Sequence, residues 1–165
     1  MDSGVTRSQD PADGDVALEL DEYLPFRLSV ASNGVSRLIA RAYEDRFGLT
    51  IPQWRLLAVL AEGGLTPQAI VVRTVMDKVT VSRAAQVLTS RRLIARTASE
   101  SDGRSHTLTL TETGRRLHAE IAPLALAYEA ALLAGLAPGE VAQLKRLLMR
   151  LEAAAARLSG ETPAR

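Results

Sequence analysis

The chain has 165 residues, 47% of them hydrophobic, and no cysteine; that length supports one domain with a sizeable core, and the missing thiol excludes disulfides, thiolate nucleophiles and cysteine-based zinc sites. The net charge of +1 conceals a division: residues 1–24 hold seven acids against Arg7 alone, whereas residues 73–116 hold nine basic residues against four acidic ones. The basic segment is a local footprint for a polyanionic partner.

Residues 1–16 are polar and acidic, with too little apolar area to offset the entropy of ordering, and read as a disordered N-terminal tail. No basic start with an apolar run opens the chain, and no stretch approaches the roughly 20 apolar residues that span a bilayer. A cytoplasmic protein without a membrane partner is expected. From Leu20 to Phe47 apolar residues recur at helical spacing (Leu24, Leu28, Ala31, Val35, Leu38, Ala42), predicting one long helix, bent near Pro25 and ended by Gly48. Pro52 opens a second helix on which Trp54, Leu57, Ala58 and Ala61 share a face before Gly63 and Gly64 end it.

Thr66 and Pro67 read as the N-cap and first-turn proline of a short helix reaching about Thr74, and Asp77 as the cap of the next. In that next segment Val81, Ala84, Ala85 and Leu88 form a buried stripe at i, i+3, i+4 and i+7, while Lys78, Thr80, Ser82, Arg83, Gln86 and Ser90 make the remaining surface polar. Two short helices joined by a tight turn, the second small inward and polar outward, describe a helix-turn-helix with its recognition helix. After Leu93 the period changes to two. Residues 93–98 (LIARTA) and 106–110 (HTLTL) are strands, and SESDGRS between them is turn chemistry, so a β-hairpin follows with Arg104 at its tip beside Asp102. Thr111 caps an Ala- and Leu-rich helix broken near Gly135–Gly139, where Pro138 starts a last helix to about Leu158; residues 159–165 read as a flexible end.

The order of elements over residues 20–158 resembles the MarR family of regulators. The specific parts are Thr80-Val-Ser-Arg83 on the recognition helix, Leu93-Ile94 with Arg96 leading into the wing, Asp102-x-Arg104 at its tip, and Leu110-Thr-x-x-Gly114 opening the next helix. The fold class expected is mainly α with a small β-hairpin wing. A winged helix-turn-helix would occupy about residues 50–112 of a domain over 17–158, and dimerisation helices about 17–47 and 111–158. The family usually carries glycine just before the Leu-Ile pair. Arg92 stands there, which implies a less sharply capped recognition helix, because a non-glycine residue in the left-handed conformation costs about 1 to 2 kcal/mol.

The resemblance implies a bacterial or archaeal transcription regulator, commonly a repressor, bound to double-stranded DNA. On the recognition helix, Arg83 can bridge guanine, Gln86 can pair with adenine, and Thr80 and Ser82 can meet bases or phosphates, with Lys78 and Arg96 adding charge. Arg104 is expected in the minor groove, held by Asp102. One recognition helix specifies too few base pairs, so a homodimer on a palindromic operator is expected, and the terminal leucines are its interface. Family members commonly take a small aromatic or anionic effector between the dimer helices and the DNA-binding lobe. Ser32, Ser36, Trp54, Arg55 and His118 are the candidates here, for an aromatic carboxylate or related phenol that Trp54 would stack on and Arg55 would pair with.

Other classes fare worse. With no cysteine, only His106 and His118, and no Gly-rich phosphate loop or nucleophile elbow, neither an enzyme, a metal site nor a resident cofactor is expected. A winged helix used for protein contacts is the alternative, and it would show a polar face without base-reading side chains.

Overall fold

A computed structural model describes residues 17–98 and 106–160. The elements in order are α1 (Leu24–Ala40), α2 (Glu44–Phe47), α3 (Ile51–Ala61), α4 (Pro67–Thr74), α5 (Lys78–Ser90), β1 (Ile94–Ala98), β2 (His106–Leu110), α6 (Glu112–Leu133) and α7 (Pro138–Ser159). They form a mainly helical fold with one antiparallel hairpin, as the sequence predicts. Among the described residues no single helix is long and apolar enough to cross a membrane.

The chain divides into two compact units at Val35. In the first, Ser29 Oγ donates to the Pro25 carbonyl at 3.0 Å and Arg27 lies 4.0 Å from Asp21. Its apolar side chains, Leu20, Leu24, Phe26 and Leu28 among them, are exposed.

The second unit holds the core. The predicted long helix ends at Ala40, and residues 41–43 turn before α2 begins. The expected bend at Pro25 is corrected: Pro25 is the second residue of α1, in the first turn, where its missing N–H has no carbonyl to lose. The break comes later, where Ala42 and Tyr43 donate backwards to Ile39 and Ala40 in tight i to i+3 turns and both side chains are buried. Gly48 then ends α2 in the left-handed conformation at φ 61°.

Helix α3 runs through the centre, packed against α4, α5, α6 and β2. That surround explains a second correction: the buried residues of α3 are Leu56, Leu57 and Leu60, a stripe rotated from the predicted face, on which Trp54 and Ala58 are half-buried and Ala61 is exposed. Thr50 takes the Gln53 side chain on its backbone N–H at 3.0 Å, fixing the start of α3. Thr66 accepts from Ala69 N, Asp77 from Thr80 N and Thr111 from Gly114 N, so each predicted cap is in place.

The end of α5 differs from the expectation of a weak cap. Arg92 takes φ 56°, its N–H donates to Thr89 O at 2.9 Å, and the Leu93 N–H donates to Leu88 O at 2.9 Å. These two bonds close a complete Schellman motif on an arginine. Leu93 is buried beyond it, so tertiary packing offsets the left-handed strain of about 1 to 2 kcal/mol. The hairpin pairs Ile94 with Leu110 and Arg96 with Leu108, and Leu65 from the α3–α4 loop bridges Leu108 on the other side.

Candidate nucleic-acid interface and aromatic cluster

The recognition helix is set by its buried stripe. Val81, Ala84, Ala85 and Leu88 are all buried, as predicted, which turns Val79, Arg83, Gln86 and Ser90 outward on the opposite face. Arg83 and Gln86 are exposed there, and no acidic residue occurs between Lys78 and Arg92. Thr80 is half-buried and its hydroxyl donates to Asp77 Oδ2 at 2.6 Å, while its N–H bonds Asp77 Oδ1 at 2.8 Å. The Thr80 hydroxyl and amide together hold the Asp77 carboxyl below the usual carboxylate range.

Lys78, Ser82 and Arg96 are brought together elsewhere. They line an open groove of about 560 Å³ between α4, α5 and the hairpin, with Gln68 and His106 on its other walls. Asp102 and Arg104 lie outside the described residues. At the far end of α5, Arg91 donates to the carbonyls of Phe47 at 2.8 Å and Gly48 at 2.9 Å, tying the recognition helix to the end of α2.

A second group of side chains collects where α3 passes the turn at residues 41–43 and the start of α6. The Trp54 ring stacks with Tyr43 at 5.4 Å between centroids and with His118 at 5.5 Å. Beside it, Arg55 Nη2 donates to Ser36 Oγ at 3.3 Å. Among the described residues Arg55 pairs with no carboxylate, and its charge is near enough to Tyr43 to favour the phenolate slightly. Burial dominates: it pushes the Tyr43 hydroxyl up to about 12, helped by Glu44, so the group stays a neutral O–H. Burial also lowers His118, which favours the neutral ring. Ser36, Trp54, Arg55 and His118 thus share one neighbourhood, in which part of the Trp54 ring is already engaged within the chain. Ser32 lies in the first unit, exposed. Tyr43 was not among the sequence candidates, because read as part of one continuous helix it had no reason to turn inward.

Residues 47–105 match the MarR family, a span that holds α3, the helix-turn-helix of α4 and α5, and β1, and ends just before β2. A probable transcriptional regulator from Pseudomonas aeruginosa is 32% identical over 81% of this chain and 99% of its own, with a TM-score of 0.70. The chain belongs to the MarR family. A MarR/EmrR family transcriptional regulator from Acinetobacter sp. ADP1 superposes with a TM-score of 0.79 at 26% identity, covering 85% of this chain and 99% of that one. Bordetella bronchiseptica BpsR, whose DNA binding is regulated by 6-hydroxynicotinic acid, has a TM-score of 0.74 at 26% identity over 82% of this chain and 96% of its own. No curated protein matches the sequence. MarR family members are transcription regulators rather than enzymes.

Proposed function

We propose that this MarR family protein is a sequence-specific repressor, which binds a palindromic operator as a homodimer and is released from it by a small aromatic carboxylate. The observation that carries the DNA-reading part is the outward face of α5, where Arg83 and Gln86 stand exposed on a helix without acidic residues. Guanidinium and carboxamide groups match the paired acceptors of guanine and the donor–acceptor pair of adenine. Arg83→Ala is expected to lose about 1 to 3 kcal/mol of discrimination at one symmetric pair of operator positions. The check is binding to a panel of operator substitutions. Equal weakening on every sequence, nonspecific DNA included, would make Arg83 a phosphate contact.

The effector reading rests on the second cluster. A guanidinium without a carboxylate partner among the described residues, a hydroxyl bonded to it, a neutral tyrosine O–H and a stacked indole suit an aromatic ring bearing one negative charge. BpsR responds to an acid of this chemical class. Release requires that the ligand bind the DNA-incompetent dimer more tightly, by roughly 1 to 3 kcal/mol for a typical coupling. Arg55→Ala is expected to keep operator affinity and lose the response to aromatic acids, including 6-hydroxynicotinic acid. An unchanged response would remove Arg55 from the site.

A further inference from the structure

We propose that Val79 is a base-reading residue, one that packs against the C5 methyl group of a thymine in the major groove. The inference rests on the DNA-reading function proposed above and assigns part of its specificity to a residue without hydrogen-bonding capacity.

Elimination within the first turn of the recognition helix points to Val79. Lys78 lines the groove shared with Arg96, Thr80 is tied back to Asp77, and Val81 is buried in the core. Only Val79 is left to face outward, and it is 58% exposed. A single exposed valine is ordinary on a protein surface. This one lies on the same face as Arg83, one turn on, and Gln86, two turns on, directly opposite the buried stripe. In helix-turn-helix proteins the N-terminal part of the recognition helix meets the base edges. The surroundings fix the partner: a face carrying Arg83 and no acid suits a polyanion, and within the major groove the one apolar feature a base pair offers is the thymine methyl.

Four residues of helix separate Val79 from Arg83 by about 6 Å, so the thymine falls within roughly two base pairs of the guanine that Arg83 reads. Burying one methyl group between valine and base corresponds to about fourfold in affinity.

The test begins with an operator selected from random duplex DNA by the full-length protein. Each thymine is then replaced in turn by 2′-deoxyuridine, which lacks only the methyl. Wild-type protein is expected to lose about fourfold at one thymine per half-site, and Val79→Ala to bind thymine and deoxyuridine there equally while keeping its guanine preference and its affinity for nonspecific DNA. If the protein selects an operator but discriminates at no thymine, or if Val79→Ala keeps the wild-type discrimination, Val79 does not read the base. Failure to select any sequence would instead overturn the DNA-reading function and this inference together.

Discussion

Replacing Gly114 with alanine is expected to destabilise the fold by about 3 kcal/mol, against the helix propensity that favours alanine by about 1 kcal/mol. Gly114 is the third residue of α6, and a Cβ built on it would lie 2.0 Å from the Leu93 carbonyl oxygen. That oxygen has little freedom to retreat. It accepts from the Thr111 backbone N–H at 3.0 Å, while the Thr111 hydroxyl donates to Arg92 O at 2.7 Å and accepts from Gly114 N at 3.0 Å. The end of the recognition helix, the start of β1 and the start of α6 therefore meet in one hydrogen-bonded knot with no room for a methyl group. Moving Leu93 would also disturb the Schellman bond to Leu88 and a buried side chain. Against a typical total stability of 5 to 15 kcal/mol, such a loss removes a large share. Urea unfolding of Gly114→Ala beside wild type measures it. A variant as stable as wild type would mean that α6 slides to accommodate the methyl group and that the knot is loose.

Elements whose signals are local were legible in the sequence. The stripe Val81, Ala84, Ala85 and Leu88, the caps Thr66, Asp77 and Thr111, and the restart at Pro138 each follow from side-chain chemistry within a few residues, and the structure places them as read. Features decided by distant contacts were not legible. The break at residues 41–43 interrupts an unbroken helical period, because burying Tyr43 beside Trp54 outweighs continuing the helix. Leu56 and Leu60 turn inward because several elements surround α3, which periodicity within one helix cannot reveal. Arg92 closes a left-handed cap that sequence preference assigns to glycine, with the packing of Leu93 beyond it. At the candidate interface the polar residues were the legible ones, while apolar Val79 holds an outward position in the first turn of α5 and the Thr80 hydroxyl is bonded to Asp77.

Introducing charge on α7 is expected to turn the proposed dimer into a monomer and to weaken operator binding by at least about 100-fold, since avidity between two half-sites is worth roughly 10² to 10⁴. The motive is a helix with no destination for its apolar face. α7 spans 22 residues, none of them buried, yet Leu144, Leu147, Leu148, Leu151 and Leu158 recur at helical spacing along a single stripe. Leu147 is 44% exposed, and Leu126 and Leu132 on α6 are also exposed. A continuous apolar stripe of this length on an isolated chain marks an interaction surface, and a second copy of the same stripe is its simplest partner under two-fold symmetry. Leu144→Arg combined with Leu151→Arg would set charges one above another along the stripe of each protomer, and pairing would bury them without counter-ions. Neither leucine is buried within the chain, so the core from Ala40 to Ile121 has no reason to unfold. Sedimentation at micromolar concentration gives the mass, and fluorescence anisotropy on a labelled operator gives the affinity. Retention of a dimer by the double variant would move the interface away from α7. A monomer that still binds the full operator as tightly as wild type would separate dimerisation from DNA reading, and the palindromic operator would have to be abandoned.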